Sequence, residues 1–177
     1  MTLLDLHVGK ESEVVDVSTE MVKELREKSG AGVMDCKRAL SEAKGNMEQA
    51  MVILREQGLA QVAKRAGREA GEGLVEAYVH AGGKIGVLLE INCETDFVAR
   101  TPEFRGLAHD VAMQIAATDP PSLDDDPPAD NPDWLPLLRQ PFIKDSAKSI
   151  ADVIKDTAAK TGENIVIRRF ARFQLGS

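Results

Sequence analysis

A chain of 177 residues, 43% hydrophobic and 29% charged, has the balance of a globular protein, with room for one domain and a small appendage. Its net charge of −7 and its 4% of aromatics argue against RNA or DNA as the primary partner, because neither a basic stripe nor a set of stacking rings is available. Two cysteines exclude a disulfide-dense secreted scaffold, and no apolar run approaches the ~20 residues of a membrane span.

Residues 1–16 are acidic on balance and hold no continuous apolar run. They read as an N-terminal extension rather than a secretory signal or transit peptide, which implies a cytoplasmic protein. From Val17 the pattern becomes helical. Ser18 or Thr19 can cap a helix whose inward face carries Val22 and Leu25, and Ser29-Gly30-Ala31-Gly32 ends it in a turn that needs glycine's conformational freedom. The spacing of Cys36, Ala39, Leu40 and Ala43 predicts a second helix over Val33–Lys44. Gly45 suits its end, and Asn46 with Gln49 opens a third helix, which turns Ala50, Ile53 and Leu54 inward and stops at Gly58.

Leu59–Gly73 starts as a short basic helix and dissolves into glycines, a linker and hinge. Leu74–His80 and Ile85–Cys93 are β-type runs joined by Ala81-Gly82-Gly83-Lys84, a hairpin. Pro102–Ala117 is a helix with Phe104, Leu107, Val111 and Ile115 on its inner face. Asp119–Pro141 is a loop rich in proline and aspartate, anchored to the core by Trp134, Leu135, Leu137 and Leu138. Ser146–Thr161 is helical through Ile150, Val153, Ile154 and Ala158. In the last strand, Glu163–Leu175, Ile165, Ile167, Arg169, Ala171 and Phe173 alternate with Val166, Arg168, Phe170 and Arg172. The fold class expected is α+β: a small three-helix domain over 17–58, a linker over 59–73, and a core over 74–177. That core combines a three-stranded antiparallel sheet with helices on one face.

Reactive chemistry is sparse. His7, His80 and His109 lack the spacing of metal ligands, and Cys36, on an inward helix face, and Cys93, at the end of an apolar strand, read as small buried hydrophobes. Gly9-Lys10 is followed by Glu11, so no Walker loop exists, and no nucleophile elbow, zincin helix or calcium loop occurs. No catalytic residue, metal or cofactor is expected. An acid–base enzyme using Asp96 with His80 or His109 would need those groups to converge in a cleft.

Two segments stand out. In Asn92-Cys93-Glu94-Thr95-Asp96-Phe97-Val98-Ala99 an acid and an aromatic sit together at a strand-to-helix junction. Either Thr95 or Asp96 caps the next helix while Phe97 staples it to the core, or Asp96 and Phe97 project as a charged aromatic anchor. In Gly30-Ala31-Gly32-Val33-Met34-Asp35-Cys36, Val33 and Met34 open a helix where so small a bundle has little core to cover them. They form a partner surface, or Met34 fills a gap between helices.

Together with Val22–Leu40 around that turn and Gly162-Glu163-Asn164-Ile165-Val166-Ile167-Arg168-Arg169-Phe170 at the close, these segments resemble, in order, the signatures of the elongation factor Ts family. The resemblance implies a non-enzymatic guanine-nucleotide exchange factor for elongation factor Tu, built from a ubiquitin-associated-like three-helix domain and an α+β core. It implies that Arg26, Gly30, Gly32, Val33 and Met34 dock on the partner's GTP-binding domain. It further implies that Thr95, Asp96, Phe97 and Val98 disturb the partner's Mg²⁺ site, with Phe97 as the wedge. The interval between Pro121 and Leu137 is short compared with longer relatives. With one core subdomain the chain resembles family members that pair as symmetric dimers, here through the sheet edge and Phe170–Leu175. A binding module without exchange activity is the alternative; it would need the helical domain but not Thr95–Val98.

Overall fold

A computed structural model describes residues 17–126, 128, 131 and 134–176. The expected extension over 1–16, with His7, and part of the aspartate-rich segment lie outside them. The chain separates into two compact units, 1–56 and 57–177, and the boundary falls within one continuous helix.

In the first unit, α1 (Thr19–Ser29) is capped by Ser18, whose hydroxyl accepts the Met21 amide at 3.2 Å; Gly30, at φ 70°, ends it. Helix α2 spans Val33–Glu42, and α3 (Met47–Arg65) opens where Asn46 Oδ1 accepts the Gln49 amide at 3.0 Å. Leu25, Cys36, Ala39, Leu40, Ala43 and Ala50 form the core of this unit, with Val22, Ile53 and Leu54 packed against it. A core of this size is marginal without larger surroundings.

The expected stop at Gly58 does not occur, for α3 runs on to Arg65. Gly58 serves packing instead: a Cβ there would lie 3.1 Å from the Cβ of Ala159, so the glycine lets two helices of the second unit approach closely. The stretch read as a linker is therefore helical for its first half. Its far end is held by Asn164, which donates to Arg68 O at 2.8 Å, and by Arg168, which donates to Ala70 O at 3.1 Å.

The second unit is a mixed α/β structure whose sheet is three-stranded and antiparallel. Strands β1 (Glu72–Val79) and β2 (Ile85–Cys93) pair through the Gly82-Gly83 turn, and β2 pairs in turn with the last strand, Val166–Gln174. Val87, Leu89, Ile91 and Cys93 point to the inner face, which is covered by helices, whereas Val75, Val79 and Leu88 remain exposed on the outer one.

Helix α4 (Asp96–Ala99) is a single turn, and α5 (Pro102–Thr118) follows, capped by Thr101. Phe104, Leu107, Val111 and Ile115 are buried as their spacing predicts. Leu137 is fully buried and Leu138 packs on the core, so the proline-rich loop is anchored, although Leu135 stays exposed. Where a helix was expected from Ser146, a small hairpin of β3 (Pro141–Phe142) and β4 (Asp145–Ser149) comes first. A reciprocal Ser149–Asp152 capping box then starts α6 (Ile150–Thr161).

The last strand, β5, does not alternate throughout. Glu90 pairs with Arg169 but Ile91 pairs with Ile167, which leaves Arg168 as the extra residue of a bulge. The bulge exchanges the two faces. Ile165 and Ile167 are buried before it, whereas Phe170 turns inward after it and Ala171 and Phe173 are exposed.

Candidate functional site

The turn between α1 and α2 is built from the inside. Ser29 Oγ accepts the Ala31 amide at 3.1 Å and lies 3.8 Å from Cys36 Sγ, which is also 3.8 Å from Ala31 O. Cys36 is thus a buried packing group that fastens the glycine turn. Gly30 supplies a left-handed backbone, and Gly32 N-caps α2 in extended conformation. The first two residues of α2 are left on the surface: Val33 is 50% and Met34 74% exposed, so Met34 fills no gap. Arg26 is exposed one turn before Gly30, whose amide donates to its carbonyl at 2.8 Å. Val33 and Met34 thus form an exposed apolar pair beside a fixed turn and a cation.

The junction after β2 combines parts of both alternatives left open by spacing. Thr95 does cap the next turn, its hydroxyl accepting the Val98 amide at 3.3 Å. Phe97, however, is no staple: it is 77% exposed, while Val98 and Ala99 behind it are buried. Asp96 is exposed and paired with Arg100 at 2.6 Å across one helical turn. Such a pair in water contributes little, so its carboxylate is available to another group at small cost. Of the four residues Thr95–Val98, Asp96 and Phe97 project, Thr95 caps, and Val98 is an anchor in the core.

The cap is held by residues that the spacing gave no reason to select. Glu163 accepts the amides of Glu94 and Thr95, each at 3.0 Å, and the Thr95 hydroxyl at 2.6 Å. Glu94 in return accepts the Asn164 amide at 2.8 Å and pairs with Arg68 at 3.3 Å. The Asn164 amide above all, with Arg68 assisting, holds the Glu94 carboxyl below its usual range. Cys93 lies beneath, its thiol donating to Thr95 O at 3.1 Å. Burial first, and then the nearby Glu163 charge, pushes its pKa up to about 11, which makes it an inert structural thiol. Glu163 and Asn164 belong to the closing motif, but nothing local links them to a turn nearly seventy residues earlier.

Asp96, His80 and His109 each have a different hydrogen-bond partner, although both histidine rings lie against Tyr78. Asp96 pairs with Arg100, His109 Nδ1 lies 3.1 Å from Glu76, and His80 Nδ1 lies 3.1 Å from the Tyr78 hydroxyl. Among the described residues no three His, Cys, Asp or Glu side chains group as a metal site requires, and no helix is long and apolar enough to cross a membrane.

Val33, Met34 and Phe97 are thus exposed apolar side chains on fixed mounts. The family model described as Elongation factor TS matches residues 5–131 and, again, 94–177. Elongation factor Ts of Carboxydothermus hydrogenoformans is 49% identical, the match covering 90% of this chain and 89% of that protein. Those of Desulforamulus reducens (47%; 92% and 91% covered) and Caldanaerobacter subterraneus subsp. tengcongensis (48%; 90% and 97%) are similar to it as well. The chain belongs to the elongation factor Ts family. The match to the first of these relatives runs over 194 positions against a chain of 177 residues, so that relative carries internal residues that this one lacks.

Proposed function

We propose that this protein is a guanine-nucleotide exchange factor that binds elongation factor Tu in its GDP form and promotes GDP release by disturbing the partner's Mg²⁺ and phosphate site. Family membership supports the activity and the partner. The observation that carries the mechanism is the mounting of Phe97: a large aromatic, 77% exposed, on a turn whose other side is buried and whose cap is clamped. A partner pocket can take such a side chain with little ordering cost, because its backbone is already fixed.

The helical unit, of ubiquitin-associated-like type in this reading, docks through Arg26, Gly30, Gly32, Val33 and Met34. Thr95–Val98 then acts on the partner, Phe97 as wedge and Asp96 as the charge near the metal. Bound GDP depends on phosphate-loop donors and on Mg²⁺, whose charge dominates the local field, so displacing the metal's surroundings weakens the nucleotide. Coupling is reciprocal, so GDP and the factor weaken each other to the same extent and incoming GTP can release the factor. No bond of any substrate is made or broken.

The protein acts as a homodimer in this reading, through the β5 edge and Phe170–Leu175. The support is an exposed apolar surface on the outer sheet face, where Gly86 pairs with Phe173 on one side and Val79 on the other, with Leu175 beyond the strand end. A second copy is the occupant best matched to it, because the surface is mainly apolar and its one charged row, Glu90 with Arg169 at 2.7 Å, is already neutralised. Light scattering at micromolar concentration tests this, and a monomeric mass overturns it.

Exchange itself is tested by stopped-flow release of a fluorescent GDP analogue from elongation factor Tu. Acceleration by substoichiometric factor supports the reading. Absence of acceleration with a cognate partner refutes it in favour of a module that binds without exchanging.

A further inference from the structure

We infer that Glu163 is a positioning residue for exchange, its carboxylate fixing the Thr95 cap and thereby the direction in which Asp96 and Phe97 leave the core. The inference rests on the exchange reading above and adds to it the part that aims the wedge.

A single helical turn cannot hold its own shape in water, because nucleation fixes several residues for very few hydrogen bonds. Helix α4 has four residues, and its closing bonds, Ala99 N to Thr95 O and Arg100 N to Phe97 O, are both long at 3.3 Å. Its far end is secured by the core through Val98 and Ala99 and by Thr101, whose hydroxyl donates to Val98 O at 2.8 Å. The near end has no such burial, since Thr95, Asp96 and Phe97 are all exposed.

The Thr95 carbonyl takes the Cys93 thiol at 3.1 Å, but the amides and the hydroxyl at this end are secured by one carboxylate. All three donors of Glu94 and Thr95 that face it, two amides and a hydroxyl, end on Glu163. Thr95 Oγ1 thereby joins two bonds: it donates to Glu163 and accepts from Val98 N. The hydroxyl's direction is set by Glu163, and the first turn of α4 follows the hydroxyl.

Glu163 is itself well placed to transmit position. It follows Gly162, the left-handed end of α6, and precedes Asn164 and Ile165, both buried. Glu94 returns the contact through the Asn164 amide, so each segment holds the other by a carboxylate on backbone amides. Hydrogen bonds to a charged acceptor are the stronger kind, and two opposed sets resist rotation as one would not.

The test uses the full chain with elongation factor Tu and the fluorescent GDP analogue, measured across factor concentrations. Glu163→Ala is expected to lower the plateau release rate about tenfold or more while the half-saturating concentration stays within about threefold, because docking through Met34 is untouched. Glu163→Gln, which keeps a carbonyl acceptor for the two amides, should recover most of the plateau. Amide hydrogen exchange at Glu94, Thr95 and Val98 should quicken in Glu163→Ala without a matching fall in Tm. In the double variant Phe97→Ala/Glu163→Ala the two losses should be less than additive, since Glu163 acts in large part through that side chain.

A Glu163→Ala plateau within about twofold of the parent, in an assay where Phe97→Ala is slow, overturns the positioning role and leaves the exchange reading standing. Parental exchange by Phe97→Ala overturns the exchange reading itself. If Glu163→Ala does not fold, Glu163→Asp takes its place: it keeps the charge but draws the carboxylate back from all three donors, and is held to the same expected and overturning plateaus.

Discussion

Phe97→Ala should separate folding from function. The side chain is 77% exposed, so truncating it removes few contacts within the chain. Its stability should therefore stay within about 0.5 kcal/mol of the parent, as for surface substitutions without a special role. The situation in a complex is opposite. A phenylalanine offers on the order of 200 Å² of side-chain surface, most of it free here to be buried by a partner. At about 25 cal/mol per Å² that burial contributes an upper value of roughly 3–4 kcal/mol. A truncated anchor commonly costs about 2 kcal/mol or more, which corresponds to about 30-fold in rate. If Phe97 enters its pocket only as GDP leaves, the loss falls on the plateau release rate and not on the half-saturating concentration. Stopped-flow release with the fluorescent GDP analogue reads both quantities, and a thermal melt run alongside reads the fold. Phe97→Leu, which keeps a smaller apolar group, should fall between the two. A plateau equal to the parent's, with an unchanged melt, would refute the wedge and everything inferred from the exposure of this ring.

Three further outcomes follow from the geometry. Met34→Asp should weaken binding to elongation factor Tu about tenfold by fluorescence titration, as expected when a charge enters an apolar contact, with no loss of Tm; unchanged affinity would make Met34 an ordinary surface residue. Gly73→Ala should destabilise the core by about 2 kcal/mol or more in urea titration. Gly73 sits at φ 144°, and a Cβ there would lie 2.2 Å from Ile91 O, so β1 must move; an unchanged urea midpoint would contradict that strain. Cys93, with its pKa raised from 9.0 to about 11, keeps its proton in the folded state over a range where an unfolded thiol has lost it. Its contribution to stability is complete below pH 9 and fades as pH rises toward 11, so the urea midpoint should fall over that range less steeply in Cys93→Ala than in the parent. Equal slopes would show that the thiol stays ionisable in the fold.

Local chemistry made much of this fold readable from residue types. Ser18 and Asn46 each cap a helix because a short oxygen-bearing side chain satisfies an amide that the helix leaves open. The 3–4 spacing on α5 placed Phe104, Leu107, Val111 and Ile115 inside, because a helix presents one face at that period. The same reasoning picked out Val33, Met34 and Phe97 as side chains in need of an explanation. It could not say whether Phe97 was staple or anchor, because the local spacing is the same for both.

Tertiary structure decided what depends on residues distant in the chain. Gly58 reads as a helix stop until Ala159 is seen against it. The alternation of β5 predicts one face, but pairing with β2 inserts a bulge at Arg168 and brings Phe170 inward while Phe173 turns out, since register belongs to two strands and not to one. The hairpin before α6 displaced a helix start that propensity alone put at Ser146. Most consequential is the meeting of Glu163 with Thr95. A carboxylate and a hydroxyl 68 positions apart carry no mutual signal in a single sequence, and only the packing of α6, β2 and β5 sets them 2.6 Å from each other. The sequence by itself determined which residues were able to cap, bury or project; the folded chain determined which of them did, because exposure and hydrogen-bond partners are properties of neighbours that the chain acquires only on folding.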